Sequence, residues 1–143
     1  MISDLKNIIR VQLEHAENNL STHLRIPVEI PPSIENYKLS HPIGAYLVVY
    51  RGSSYKDKGT RPKIAQDRDV EIGVVVVSRF RNEYTPEDYL DFAIKSLSGL
   101  EMTAKRSDRK VYCASDEWIK EENGVWWYAA TFVCPVDFFE GIG

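Results

Sequence analysis

One segment decides the fold: residues 70–80, which read VEIGVVVVSRF. Its middle is rich in β-branched residues, which favour a strand, and it is apolar on both faces instead of alternating. Such a segment predicts a strand that lies centrally in a sheet covered on at least one side. Gly73 within it predicts that something bulky packs above that position.

Further strands are predicted on both sides of this segment. Residues 45–51, AYLVVYR, have the β-branched and aromatic content of a strand. Near the C-terminus, strands over 111–121 and 125–134 flank Asn123-Gly124, the strongest short-range signal for a hairpin. Both faces of the last strand are largely apolar, so we expect the face away from the core to be covered by a helix or a neighbouring subunit. The alternative is that the two helices pack one on each face of the sheet.

The hairpin raises a question about the two cysteines, Cys113 and Cys134. A two-residue turn would place them opposite each other in a non-hydrogen-bonded pair, where a disulfide is sterically conceivable. A bulge near residues 122–124 would shift the register and destroy that pairing. Folding in the cytoplasm favours two reduced thiols.

Two helices complete the predicted elements. Apolar residues at 3–4 residue spacing predict an amphipathic helix over 3–24, which Pro27 ends. Thr85 and Pro86 are a typical helix start, and Gly99 is a typical helix stop. Between the first helix and the first long strand, residues 26–32 are short and flanked by prolines, which excludes a central position in the sheet.

The order of elements predicts an α+β fold, in which a mostly antiparallel sheet of four to five strands packs with two helices. A long loop, from Gly52 to about Asp67, follows the second strand. Neither an internal repeat nor a linker is visible, so we expect one domain over residues 1–143.

The loop is also where positive charge concentrates. Residues 51–68 have a local charge of +4 and residues 105–110 a charge of +3, which leaves −10 for the rest of a chain with net charge −3. Loops longer than about 12–15 residues are usually functional or mobile. Unlike charged surfaces suit head-to-tail contact between subunits, although simple solvated charge gives the same pattern.

Residues that would carry chemistry do not converge in the sequence. His15 and His23 are eight residues apart, which is not the spacing of two ligands on one metal ion, and no nucleophile motif or phosphate-binding loop occurs. We therefore expect no enzyme activity, no metal and no cofactor. The N-terminus lacks the features of a signal peptide and no apolar run reaches the ~20 residues of a membrane span, so a soluble protein folded in the cytoplasm is expected.

Five segments, taken in order, resemble the tail-terminator (tail-completion) proteins of Mu-like phages and prophages, and the similarity spans residues 2–134. These segments are PIGAYLVVYRGSSY at 42–55, QDR at 66–68, VVVVSR at 74–79, YLD at 89–91 and GVWWY at 124–128. The resemblance implies a structural α+β subunit of the virion, made in the bacterial host cytoplasm. It would assemble into a hexameric ring at the head-proximal end of the tail. The ring would end polymerisation of the tail tube and offer an interface to the neck.

The partners that the resemblance implies are further copies of the chain, the tail tube protein and a neck or head-completion protein. DNA would be met only as it passes through the lumen, and no membrane is involved. On this interpretation the loop after the second strand would contact tube or neck protein or line the lumen, through Gly52, Ser53, Tyr55, Lys56, Lys58, Arg61 and Lys63.

Three polar residues match the family pattern: Gln66, Arg68 and Arg79. An arginine at the end of a strand can also simply pair with an acid inside its own subunit. Two other functions remain open, a neck or connector subunit and a small single-stranded nucleic-acid-binding module. The second rests on Tyr55 among basic residues, a combination that can follow a single strand.

Overall fold

The computed structural model describes residues 2–56, 65–100 and 110–139. The elements in chain order are α1 (Ile2–Glu17), a short 3-10 helix (Thr22–Leu24), β1 (Val28–Glu29), β2 (Gly44–Lys56), β3 (Ala65–Ser78), α2 (Pro86–Leu97), β4 (Tyr112–Glu122) and β5 (Val125–Phe139). Among these residues, no helix is long and apolar enough to cross a membrane.

The strands form one five-stranded sheet in the order β1-β2-β3-β5-β4. β1 is parallel to β2, and every other neighbouring pair is antiparallel. The predicted α+β class and mostly antiparallel sheet are therefore confirmed, with β3 at the centre. The proline-flanked β1 lies at the edge, as its sequence predicted.

Both helices pack on one face of the sheet. Leu5, Ile9 and Leu13 of α1 join Tyr89 and other apolar residues of α2 in one buried cluster with the even-numbered residues of β3 from 70 to 76. Residues three and four apart on a helix share a face, which explains how α1 buries this stripe. This face of the sheet is called the helix face below.

The opposite face, called the second face below, is covered by the chain itself. Buried Leu47, Val75 and Trp127 lie there, and Ile34, Tyr37 and Leu39 of the segment 30–43 pack against this cluster. The expectation that a helix or a neighbouring subunit covers this face is therefore wrong. The covering segment carries too few apolar residues, at irregular spacing, to be recognised as part of a core.

The strands extend into what the sequence predicts to be a loop. Gly52 pairs with Glu71 and Lys56 with Asp67, so the connection between β2 and β3 is shorter than predicted. The residues at these strand ends are mostly polar on both faces of the sheet. They therefore lack the apolar periodicity by which a strand is predicted. Residues 57–64 lie outside the described residues, as do residues 101–109, which include most of the second basic stretch.

A bulge at Arg51 shifts the register between Tyr50 and Gly52. The prediction that Gly73 makes room for a neighbour is confirmed, because a Cβ added there would lie 2.7 Å from Cδ of Arg51. The stem of Arg51 therefore crosses β3 on the second face.

The hairpin turns at Asn123-Gly124 as predicted, with positive φ angles of 53° and 79° at the two residues. These angles belong to a type I′ turn, for which Asn-Gly is the favoured pair. Two bulges, between Cys113 and Ser115 and between Trp118 and Lys120, then shift the register.

Because of these shifts, the predicted pairing of the two cysteines is wrong. Cys113 lies opposite Phe132, and Cys134 lies opposite Val70 on β3. Both cysteines are free thiols. Burial raises the pKa of Cys134 to about 12 and also raises that of Cys113, so neither thiol is activated.

The first helix is shorter than predicted. It ends at Glu17, whose carboxylate accepts a hydrogen bond from the backbone N–H of Ile26 at 2.9 Å. Arg25 also donates to the carbonyl oxygen of Leu20 at 3.0 Å. These bonds fold residues 18–25 back as a turn, because asparagine and serine in this stretch favour turns over helix interiors.

Candidate assembly surfaces

β4 is the most exposed strand of the described sheet. All of its residues except Cys113 are exposed, on both faces. Tyr112 and Trp118 are 51% and 55% exposed, and Ile119 is exposed beside them. Because β4 lies at the outer edge of the sheet, neither the helices nor the covering segment buries it. Large apolar side chains on a strand bare on both faces typify an interaction surface.

β4 is also acidic, on both of its faces. It carries four carboxylates against one ammonium group: Asp116, Glu117, Glu121, Glu122 and Lys120. Lys120 is held locally, with its Nζ 4.7 Å from the centre of the Trp127 ring and 3.9 Å from Oε2 of Glu122. The β4 strand with these side chains is called the acidic edge below.

The opposite edge of the sheet is formed by β2. β1 pairs only with Tyr46 and Leu47, so residues 48–56 have a strand partner on one side alone within the described residues. This stretch carries Arg51 and Lys56 and no acid. It is called the basic edge below.

A crevice of 490 Å³ runs beside the basic edge. Lys6 of α1 and Arg51 supply its charged lining, and Pro31 and Pro32 form part of its wall. None of the residues that line it is acidic, so the crevice extends the positive character of this edge.

The predicted loop residues divide between β2 and the connection that lies outside the described residues. Gly52, Ser53, Tyr55 and Lys56 lie on β2, whereas Lys58, Arg61 and Lys63 lie outside the described residues. Arg68 lies directly opposite Tyr55, with its guanidinium carbon 5.4 Å from the ring centre. It also donates to Oγ of Ser53 at 3.2 Å, and that oxygen lies 2.7 Å from the Tyr50 hydroxyl. The structure therefore brings Ser53, Tyr55 and Arg68 into one polar cluster on the helix face.

The other two residues of the family pattern lie apart from this cluster. Gln66 is on β3 opposite Phe138. Arg79 follows β3 and donates to the carbonyl oxygens of Leu39 at 2.9 Å and His41 at 3.2 Å. Its guanidinium is engaged within the chain, as the alternative proposed, but by carbonyl oxygens and not by an acid. It fastens the covering segment to the second face.

Sequence reasoning missed the aromatic residues of the candidate site. It did not single out Tyr112, Trp118 or Ile119. One signal could have found them: two adjacent acidic pairs, 116–117 and 121–122, place carboxylates on both faces of the strand. Apolar side chains on such a strand are necessarily exposed as well.

The described residues do not form a cluster suited to bond-breaking chemistry. No group of three or more His, Cys, Asp or Glu residues among them could hold a metal ion. A second cleft, of 720 Å³, lies between the covering segment and the hairpin. Its lining includes Tyr37 and Trp127 but no histidine and no cysteine. The arrangement can bind a surface, and its groups supply no acid, base and nucleophile together.

Comparison with known proteins places the chain by fold and by family. No curated protein matches it. Among solved structures, a chain in the virion of the native gene transfer agent (GTA) particle is similar, with a TM-score of 0.55 and 15% identity over 94% of this chain and 95% of that chain. At this identity the similarity shows the fold. The sequence model of the Gp37 protein family matches residues 20–140, which include all five strands and α2. The chain therefore belongs to the Gp37 protein family.

Proposed function

We propose that this protein is a structural virion protein that acts as a tail terminator. It forms a ring, most simply a hexamer, that caps the head-proximal end of the tail tube, ends tube polymerisation and offers an interface to the neck. β4, an 11-residue strand exposed on both faces, carries the proposal. A strand of this kind presents backbone and aromatic groups to another protein and encloses no small molecule.

One comparison supports a place in a virion. The same fold occurs over nearly the whole length of a chain in the gene transfer agent particle. The finer assignment rests on the resemblance to Mu-like tail terminators, whose matching segments fall on β2, β3, α2 and β5. The partners are then further copies of the chain, the tail tube protein and a neck protein, and DNA is met only in the lumen.

A single-strand nucleic-acid module has less support than subunit contact. Such a module needs open aromatic faces on which bases stack. The Tyr55 ring carries the Arg68 guanidinium against it, and two of the exposed aromatic residues, Tyr112 and Trp118, lie on the acidic β4 strand. Negative charge beside these rings repels a phosphate backbone.

Deletion of the gene from the phage or prophage that encodes it tests the proposed function. We expect tails whose tubes continue past their normal length, visible by negative-stain electron microscopy, and few tails joined to heads. Tails of normal length that fail to join heads would indicate a neck or connector subunit, and normal virions would contradict both functions.

Complementation then tests the surface. The double variant Tyr112→Ala, Trp118→Ala should fold, because both side chains are about half exposed, yet should fail to restore tail length. Val11→Ala is the matched control: this side chain is 49% exposed on α1, outside the candidate surface, and the variant should complement fully.

A further inference from the structure

The described sheet has two long edges without a strand partner. Residues 48–56 of β2 pair only with β3, and β4 pairs only with β5. An unpaired edge presents a row of N–H and C=O groups that can bind another strand. The two edges lie at opposite ends of the sheet and carry opposite charge.

The direction of the strands permits the two edges to pair between copies. β2 is antiparallel to β3, β3 to β5 and β5 to β4, so β2 and β4 run in opposite directions. In a ring, every copy has the same orientation relative to the axis. The β4 strand of one copy therefore meets the β2 strand of the next in antiparallel sense, which is the more stable ladder.

Charge favours this contact over pairing of like edges. Contact between two β4 strands would bring eight carboxylates together, four from each copy. The basic edge offers Arg51, which makes no ion pair within the described residues, and the adjoining crevice adds Lys6. Glu117 and Glu122 lie on the second face, as Arg51 does, because they pair with Ala129 and Val125 of that face.

We propose that the acidic edge of one copy pairs with the basic edge of the next copy, so that a continuous antiparallel sheet runs through the ring. This inference rests on the proposed function, because it requires the protein to form a ring. It specifies which edges meet and in which direction, and it makes the contact head-to-tail.

Backbone geometry supplies a specific test. Glu122 and Val125 flank the two-residue turn and form a hydrogen-bonded pair. From Val125 onward, successive residues of β5 alternate between hydrogen-bonded and non-hydrogen-bonded pairs with β4. Asp116, opposite Ala130, then belongs to a non-hydrogen-bonded pair and directs its N–H outward. Asp116→Pro removes this outward donor without removing a bond to β5.

The first experiment measures ring formation by light scattering and sedimentation. Asp116→Pro should lower the association constant on the order of tenfold or more. Asp116→Ala, which removes the charge but keeps the N–H, should have a smaller effect. Circular dichroism confirms that each variant is folded. Equal association of the proline variant and the wild-type protein would contradict strand pairing.

Charge reversal tests which edges meet. Arg51→Glu should weaken the ring, and adding Glu117→Lys and Glu122→Lys in the same chain should restore it. Lys95→Glu is the matched control, because it changes the charge equally at an exposed position on α2. Failure of the reversed pair to restore association, in folded protein, would contradict the proposed contact.

Cross-linking separates this inference from the proposed function. In a Cys113→Ser, Cys134→Ala background, one protein carries Ser54→Cys on β2 and a second carries Ser115→Cys on β4, both at exposed positions. A flexible bis-maleimide should link the two proteins in a mixture and should link neither protein to itself. A stable wild-type ring without this cross-link would overturn the edge pairing and leave the ring function standing. Wild-type protein that remains monomeric at high concentration, alone and with tail tubes, would overturn both.

Discussion

At the scale of single residues, Glu17 is a carboxyl group held inside the protein at the end of α1. Its side chain is only 5% exposed. Burial raises its pKa to about 7, and the nearby charge of Glu14 adds to this effect, while the hydrogen bond from Ile26 N–H opposes it. Burial wins because a single hydrogen bond replaces only part of the lost hydration of a carboxylate.

This raised pKa predicts how stability depends on pH. Below pH 4.5 the carboxyl group is protonated in both folded and unfolded chains and has no effect. Between that value and about 7 the unfolded chain releases the proton first, so stability falls as pH rises, by roughly 2–3 kcal/mol in all. Above that range both states are ionised and the loss stays constant.

Glu17→Gln should therefore stabilise the protein at pH 8 relative to pH 4, because glutamine keeps an acceptor for Ile26 N–H without a charge. Urea unfolding at several pH values checks this through the difference in unfolding free energy between variant and wild type. Glu14→Gln, at an exposed position on α1, should change that free energy little. A difference for Glu17→Gln that stays the same at every pH would contradict the assignment.

At the scale of elements, α2 begins with a complete capping box. The Thr85 hydroxyl accepts the backbone N–H of Asp88 at 3.1 Å, and the Asp88 carboxylate accepts the backbone N–H of Thr85 at 2.9 Å. Pro86 occupies the first turn, where its missing N–H costs nothing. Two donors that a helix start leaves unpaired are thus satisfied by side chains.

Thr85→Ala should lower the free energy of unfolding by about 1 kcal/mol, because Asp88 N–H loses its acceptor. Thr85→Ser keeps the hydroxyl and is the matched control. Urea or thermal unfolding of the two variants measures the difference. Equal stability of the serine and alanine variants would show that the cap contributes nothing.

Local signals of this kind explain which elements could be predicted. Thr85-Pro86, Asn123-Gly124 and the apolar run of β3 each specify a turn or strand within a few residues, and the structure confirms them. The bulges at Arg51, Ala114 and Ile119 have no such signal, because a bulge depends on the partner strand. Because the bulges at Ala114 and Ile119 could not be predicted, the pairing predicted for the two cysteines was wrong.

At the scale of the whole molecule, the candidate site was predicted only in part. Uneven charge could be inferred from composition, because charge counts do not depend on the fold, whereas contact with other subunits stays a prediction. The position of the acidic edge could not be predicted, because it follows from the order of strands in the sheet, which places β4 at the edge opposite β2. The covering segment also required the structure, because Ile34, Tyr37 and Leu39 are brought together only by packing on Trp127 and its neighbours.

The two apolar clusters share the same strands, and this predicts that the chain unfolds as one unit. Val74 and Val76 face the helices, whereas Val75 and Val77 face the covering segment, so neither cluster survives loss of β3. A chain of this size with shared strands should unfold in a single two-state transition. We therefore expect one domain, although its two faces are covered by different kinds of structure.

Two probes, one for each face, test this cooperativity. In a Trp118→Phe, Trp126→Phe variant, fluorescence reports on Trp127 beneath the covering segment, and far-UV circular dichroism reports largely on the helices of the other face. Their urea transitions should coincide in dilute solution. Arg79→Ala, which releases Leu39 and His41, should move both transitions to lower urea together. Earlier loss of the Trp127 signal would mean that the covering segment opens alone, so that the second face could also serve as a binding surface.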